Sequence, residues 1–307
     1  MTGKNEIKEI LSTVKVGKIL YDEPMLLHTS LGVGGKADAL VFIENDDQLA
    51  QVVRRLKEKK NNFFTAGNLT NVIVRDGGYR GAILLMTGSK DMSCEHKKDN
   101  GGFIDAQAGV SLAKIVSLSV AEELAGFEFC SGIPGSVGGA VWMNAGAYGR
   151  EIKDVIASVR VMNPDGVRKT MNREEISFGY RKTSFSSGTI ILGARFELEK
   201  GERSRMKERI TEILQWRQEK HPLEFPSAGS VFKNLPGQAA GKLIEEMGLK
   251  GTTAGGAQIS SKHANFIVNR GKATAADILT LIGLVQSKAR KEKGLNLETE
   301  VVIIGED

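Results

Sequence analysis

Cysteine is scarce in this chain of 307 residues, with only Cys94 and Cys130 present. Two thiols exclude a disulfide framework and point to a reducing compartment, so a cytoplasmic protein is expected. No apolar run approaches the roughly 20 residues that cross a bilayer. The first residues also lack the apolar core of a secretory signal, so no membrane insertion is expected. Aromatic residues are only 6% of the chain and are not interleaved with basic ones, which removes the stacking platform of a nucleic-acid binder. Charge of one sign is not massed either. The 42 basic and 37 acidic residues leave a net +5, a mild excess that suits an anionic small molecule. His28, His96, His221 and His263 are scattered, with no His-x-x-x-His or Cys-x-x-Cys pair; no metal is expected.

Familiar nucleotide and nucleophile motifs are missing too. No Gly-x-Gly-x-x-Gly follows a strand, which argues against a Rossmann site. Gly237-Gln-Ala-Ala-Gly241-Lys242 is one residue short of a P-loop, and Leu243 stands where a Mg²⁺-binding hydroxyl belongs. No Gly-x-Ser-x-Gly elbow is present.

What is present is a glycine-rich stretch, Ser131 to Gly149, in which six of nineteen residues are glycine and none is charged. A packed helix or strand is not expected there, since each glycine costs conformational entropy. Ile133-Pro134-Gly135 reads as a turn. Two readings stand: a cradle of backbone N–H groups for a phosphate, or a structural loop. A second tight loop, Ala66-Gly67-Asn68-Leu69-Thr70-Asn71, follows a short strand at Phe63-Phe64.

The length suggests about two domains, and the order of elements is α+β with no regular βαβ alternation. Strands are expected at 38–43, 72–74, 83–85, 103–108, 155–162 and 189–198, the last two placed around the turn Asn163-Pro164-Asp165-Gly166. Asn45 or Asp46 caps a helix that buries Leu49, Val52, Val53 and Leu56. Ser111 caps another with Leu112, Ile115, Val116 and Leu124 inward. Residues 202–219 form a charged helix, and His221 to Pro226 a linker. The last third reads helix (240–247), strand (264–268), helix (275–292) with a Thr274/Asp277 capping box, and strand (297–304).

Several segments then match one family in its order: His28-Thr-Ser-Leu-Gly-Val-Gly-Gly-Lys-Ala-Asp38, Gly67 to Asn71 with Asp76-Gly77-Gly78, Gly132 to Gly149, and Phe178-Gly-Tyr-Arg-Lys-Thr-Ser-Phe185. Beyond the linker come Pro226-Ser-Ala-Gly-Ser-Val-Phe-Lys-Asn234, Ala240-Gly-Lys-Leu-Ile-Glu245 and Leu297-Glu-Thr-Glu-Val301. The chain resembles the bacterial UDP-N-acetylenolpyruvoylglucosamine reductases (UDP-N-acetylmuramate dehydrogenases), flavoenzymes of peptidoglycan precursor synthesis. The short spacing from Arg181 to Ser230 is similar to the compact type. Departures are Leu69 and Thr70, where the family has Gly and Ser, Leu235 for Pro, and Asn265 for Gly; these read as local adjustments.

The resemblance implies a two-subdomain FAD-binding fold like vanillyl-alcohol oxidase in residues 1–220 (subdomains about 1–86 and 87–220), plus a C-terminal α+β substrate domain in 221–307. It implies non-covalent FAD, NADPH as hydride donor, and UDP-N-acetylglucosamine enolpyruvate as substrate. Gly67, Asn68, Leu69, Thr70, Asn71, Ile133, Pro134, Gly135, Gly138 and Gly139 are the expected cofactor contacts. Arg181, Ser230 and Glu300 are the expected catalytic residues. Arg181 offers a planar fork for the substrate carboxylate, Ser230 a proton for C2, and Glu300 positions the enolpyruvyl group or relays the proton. If 230–234 is extended, Ser230, Phe232 and Asn234 share a face and Lys233 points away unless a bulge turns it in. Glu298 is the alternative to Glu300. Tyr180, Lys233, Asn234, Lys262 and His263 are the expected substrate contacts, with a structural role for His263 equally open. An FAD oxidase with another substrate and a non-catalytic nucleotide-binding regulator are the competing readings. The motifs beyond Pro226, and the joint presence of the three catalytic residues, count against them.

Overall fold

A computed structural model describes residues 3–98 and 100–307. The chain divides into two compact units that interleave its sequence: Met1–Tyr21, Ala39–Asn68 and Gly81–Trp216 in the first, Asp22–Asp38, Leu69–Arg80 and Arg217–Asp307 in the second. Among the described residues no helix is long and apolar enough to cross a membrane.

In the first unit Asn45 caps helix α2 (Asp46–Glu58), following α1 (Gly3–Ser12); its side chain accepts from the N–H groups of Asp47 and Gln48. Acidic residues in the first turn and basic ones in the last complement the helix dipole. Leu49, Val52, Val53 and Leu56 are buried with Ile7 and Leu11 of α1, as the helical period predicts. They cover part of a four-stranded sheet in the order Lys18–Pro24, Lys36–Phe42, Tyr79–Leu85, Phe63–Ala66.

The larger sheet of this unit runs Arg168–Asn172, Ile156–Met162, Ile190–Lys200, Gly102–Gln107, Met92–His96, with Leu124–Ala125 paired to the end of Ile190–Lys200. Helices α3 (Leu112–Ala121) and α4 (Val137–Trp142) contribute Ile115, Val116, Val137 and Val141 to the core on that sheet. Phe127 meets Phe196 there edge-on at 4.9 Å.

The second unit carries an antiparallel sheet in the order Ser227–Ser230, Phe266–Asn269, Ala257–Ile259, Thr253–Ala254. Its core joins α6 (Ala240–Glu246) and α7 (Ala275–Lys293) through Ile244, Leu281 and Ile282. The 72–74 strand belongs here because it pairs in parallel with Val302–Ile304. Asp76 fixes the same segment by accepting from the Ala275 and Ala276 N–H groups at the start of α7. The resemblance glycines explain themselves: a Cβ on Gly35 would overlap the Asp76 carbonyl, and one on Gly78 the Lys36 carbonyl. Charged helix α5 (Arg203–Lys220) links the two units in sequence.

Four local expectations need correction. The glycine stretch contains helix α4, because Val137, Ala140 and Val141 bury apolar surface, and side-chain-free Gly138 lets the helix approach Ala108, whose Cβ a Cβ at 138 would meet at 3.0 Å. Leu124 lies outside α3, which ends at Ala121, and reaches the core from the strand Leu124–Ala125. The turn at 163–166 leads into Arg168–Asn172, a hairpin partner of Ile156–Met162, and Ile190–Lys200 pairs on the other side. The last strand is shorter than 297–304, since only Val302–Ile304 forms a continuous ladder; Thr299 makes an isolated bridge to Phe232.

Candidate active site

In the first unit the two loops expected to cradle a cofactor meet. A Cβ on Gly67 would overlap the Ser136 hydroxyl, so only glycine allows that approach. The 133–139 segment is stitched to 108–112: Leu112 N–H donates to the Gly135 carbonyl at 3.1 Å, Val137 N–H to Val110 and Gly138 N–H to Ala108, both at 2.9 Å. Two backbone donors of the expected cradle are therefore already engaged. Ser136, absent from the sequence expectation, is the polar group that stands out. It is the N-cap of α4 yet makes no cap bond, and its buried Oγ has no hydrogen-bond partner. An orphaned hydroxyl beside a glycine approach fits an incoming phosphate or flavin polar atom. The signal for it was a serine between Pro134-Gly135 and the first helical residue.

Tyr180 and Arg181 form the two-residue turn of a small hairpin in which Phe178 faces Thr183 and Gly179 faces Lys182. Arg181 adopts φ +51°, the left-handed conformation that the third position of a type II turn requires and that glycine usually fills. Such strain costs of order 1–3 kcal/mol and persists where the surroundings over-determine it. Here they do. Asn144 donates to the Gly179 carbonyl and to Glu151, each at 3.0 Å, and accepts from Lys153 N–H. Thr183 Oγ1 donates to the Trp142 carbonyl at 2.8 Å. The half-buried Arg181 donates through Nη2 to the Gly146 carbonyl at 2.8 Å and lies 5.1 Å from the centre of the exposed Tyr180 ring.

The second unit brings Ser230, Lys233, Asn234 and Glu300 together. Glu300 N–H donates to the Val231 carbonyl at 2.7 Å, and its own carbonyl accepts from Asn71 Nδ2 at 3.1 Å. Its half-buried side chain thus rises from a backbone fixed on both sides. Glu298 differs: its exposed carboxylate pairs with Lys233 Nζ at 3.1 Å. The expected alternation over 230–234 fails. The pairing register shifts between Ser227 and Ser230, and Val231 and Phe232 are both buried. Asn234 does not share a strand face with Ser230 but accepts from Ala240 N–H at 3.0 Å, at the entry to α6.

Asn265, a departure from the family's usual glycine, has a specific structural partner. Its side chain accepts from Phe232 N–H at 2.9 Å and donates to the Phe232 carbonyl at 2.8 Å, replacing a missing strand partner two residues from Ser230. A polar residue inside a predicted strand was the available clue.

His263 accepts at Nδ1 from Asn265 N–H at 3.2 Å, and its ring packs on His221 and Phe266 at 5.6 and 4.9 Å. Lys262 Nζ donates to the Gln218 carbonyl at 2.6 Å, near the end of α5. Of the 67–71 loop, Gly67 and Asn68 belong to the first unit, Leu69, Thr70 and Asn71 to the second. Leu69 is buried, with φ +51°.

Residues 37–172 match the FAD binding domain family, and residues 221–304 match the family of the UDP-N-acetylenolpyruvoylglucosamine reductase C-terminal domain. The chain is 49% identical over 301 residues to the UDP-N-acetylenolpyruvoylglucosamine reductase of Syntrophus aciditrophicus, covering 98% of this chain and 96% of that one. It is 42% identical to the enzyme of that name from Caldanaerobacter subterraneus, with 98% of each covered. Among solved structures, the UDP-N-acetylenolpyruvylglucosamine reductase of Thermus caldophilus superimposes with a TM-score of 0.77 at 34% identity, over 93% of this chain and 98% of that one. The fold is thus the expected α+β arrangement, an FAD-binding fold followed by a C-terminal domain. On this full-length kinship, the chain is an oxidoreductase belonging to the UDP-N-acetylenolpyruvoylglucosamine reductase family.

Proposed function

We propose that this protein uses NADPH and non-covalently bound FAD to reduce UDP-N-acetylglucosamine enolpyruvate to UDP-N-acetylmuramate, a cytoplasmic step in making peptidoglycan precursors. The observation that carries this reading is Arg181, held at φ +51° in a hairpin fixed by three hydrogen bonds to neighbouring groups. Strain kept at an arginine points to a task for the guanidinium that a relaxed surface residue would not have.

The residues of the first unit fit FAD: Gly67 gives close approach, Ser136 Oγ offers an unmatched polar atom, and Ile133, Pro134, Gly135, Gly138 and Gly139 line the same segment. Asn68, Leu69, Thr70 and Asn71 complete the proposed cofactor contacts. When bound, the flavin supplies the hydride that NADPH donates. Arg181 binds the substrate carboxylate in its fork and stabilises the negative charge that gathers there as C3 is reduced. Ser230 holds a proton at C2 and delivers it from hydrogen-bond distance. Glu300 orients the enolpyruvyl group and resupplies that proton. Tyr180, Lys233, Asn234, Lys262 and His263 serve the rest of the substrate, the lysines matching its diphosphate. Overall, one hydride and one proton convert the enol ether to a lactyl ether, and NADPH becomes NADP⁺.

The visible spectrum tests this. The purified protein should be yellow, bleach with NADPH more readily than with NADH, and recover colour when the enolpyruvyl substrate is added. After denaturation the flavin should leave the chain. A colourless protein that takes up no FAD would overturn the reading.

A further inference from the structure

We propose that Cys94, His96 and Glu122 form a surface site for one zinc-class divalent cation in the first unit. Cys94 and His96 are two apart on the edge strand Met92–His96, so the pleat turns both side chains to one face. Glu122 is the C-cap residue of α3. The chain beyond it forms Leu124–Ala125, paired to the end of Ile190–Lys200. Gly102 faces His96 across the ladder, and a Cβ there would meet Leu124 Cδ2 at 3.2 Å. That glycine lets the exit of α3 lie against the end of the edge strand.

His96 Nε2 is 3.0 Å from Glu122 Oε2 and 3.9 Å from Cys94 Sγ. One ligand atom from each residue lies within 4.8 Å of the other two. Zinc, with bonds of about 2.0–2.3 Å, spaces tetrahedral N, O and S ligands roughly 3.3–3.6 Å apart. Small side-chain rotations at the surface close the set. A sulfur and an imidazole nitrogen select Zn²⁺ over Mg²⁺ or Ca²⁺, which take oxygen. On binding, the Cys94 thiol releases its proton to solvent. The thiolate and the Glu122 carboxylate then balance the 2+ charge, and water fills the fourth position. The negative end of the α3 dipole adds to the attraction. Bound metal would tie the open sheet edge to α3 and shield it from pairing with another chain.

The test uses the full-length protein as purified. Cys130 is fully buried, so Ellman's reagent on the native protein reads Cys94. Equimolar Zn²⁺ should slow that reaction about tenfold or more, Mg²⁺ should not, and dialysis should leave one Zn²⁺ per chain. Losing even an outer-shell partner typically costs about 10–100-fold in metal affinity. His96→Ala and Glu122→Gln should therefore each weaken retention by about tenfold or more, and Cys94→Ser should abolish it. Flavin content and far-UV circular dichroism should be unchanged in all three. The proposal is overturned if Zn²⁺ leaves the thiol of the parent protein unprotected. It is equally overturned if retention survives in both His96→Ala and Glu122→Gln, which would mark binding by the cysteine alone.

Discussion

The hairpin at 178–183 and the segment at 227–234 hold their key side chains in different ways. In the hairpin the main chain stores the geometry. Arg181 sits at φ +51°, and neighbouring groups keep it there through bonds to backbone carbonyls. Around Ser230, glycine takes the unusual conformation, with Gly229 at φ +77°, and side chains store the geometry. Asn265 grips both backbone groups of Phe232, Asn234 caps α6, and Lys233 pairs with Glu298. The first region should respond to changes at the residue that reacts. The second should also respond to residues that touch no substrate.

The largest effect is expected at Ser230. Ser230→Ala removes the hydroxyl with little change in volume. A positioned proton donor contributes typically about 10²–10⁴-fold, so turnover should fall in that range while flavin content is kept. Ser230→Cys should restore part of it. Turnover within a few-fold of the parent would move the proton to Glu300 or water. Arg181→Lys should follow, at about 10²-fold, because a lysine keeps the charge and loses the bidentate fork. Stopped-flow absorbance should show flavin reduction by NADPH nearly unchanged and reoxidation by substrate slowed. Equal losses in both half-reactions would make Arg181 a cofactor or structural residue.

Asn265→Ala tests the side-chain network directly. Asn265 is only 3% exposed, and its removal leaves two buried backbone groups of Phe232 without partners. Each orphaned group costs about 1–3 kcal/mol, so urea unfolding should show roughly 2–6 kcal/mol of destabilisation. Reoxidation of the flavin should slow as Ser230 loosens, with reduction by NADPH spared. If stability drops and reoxidation does not, the network holds the fold and not the site.

Acid should strain the same unit. Burial, helped by the Arg217, His263, Lys262 and Lys220 charges, pushes His221 down to about 4, and burial lowers His263 too. An unfolded imidazole titrates near 6.5. Between these values the unfolded chain binds a proton that the native chain does not. Stability should be level above about pH 6.5 and fall as the pH drops toward 4, by order 1–2 kcal/mol after allowance for solvent around a partly exposed ring. His221→Phe, which keeps the packing on Phe266 (5.0 Å), should flatten that slope in urea unfolding.

Much of this was legible from residue order. Asn45, Ser111 and the Thr274/Asp277 box cap the helices they announce, because caps and apolar periods are local signals. Pairing of 72–74 with 302–304, and Asp76 at the start of α7, joins residues about 200 apart and has no local signature. The face assignment of Asn234 failed because the strand ends at Ser230 and Val231 and Phe232 are both buried, whereas period-2 reasoning presumes that the strand continues. Ser136 and Asn265 escaped because what marks them, an unmatched hydroxyl and a side-chain amide acting as strand partner, exists only in three dimensions. Cys94-x-His96 has neither a His-x-x-x-His nor a Cys-x-x-Cys spacing, and its two side chains share a face only because Met92–His96 is a strand.

The smallest effect sharpens the comparison, because one position in the second unit behaves like the first. Leu69 has φ +51° and is 3% exposed. A left-handed conformation costs a residue with a Cβ roughly 1–2 kcal/mol and costs glycine nothing. Burial of the leucine side chain offsets it, since a large-to-small change in a core typically costs about 2–5 kcal/mol. Both Leu69→Ala and Leu69→Gly should therefore destabilise. Their order is the informative quantity. In ordinary helix or strand glycine is worse than alanine by about 0.5–1 kcal/mol. At this φ the alanine keeps the strain and the glycine sheds it, so Leu69→Gly should be the more stable of the two by about 1 kcal/mol in urea unfolding. Should the alanine variant prove the more stable, Leu69 carries no strain and its backbone stores no geometry.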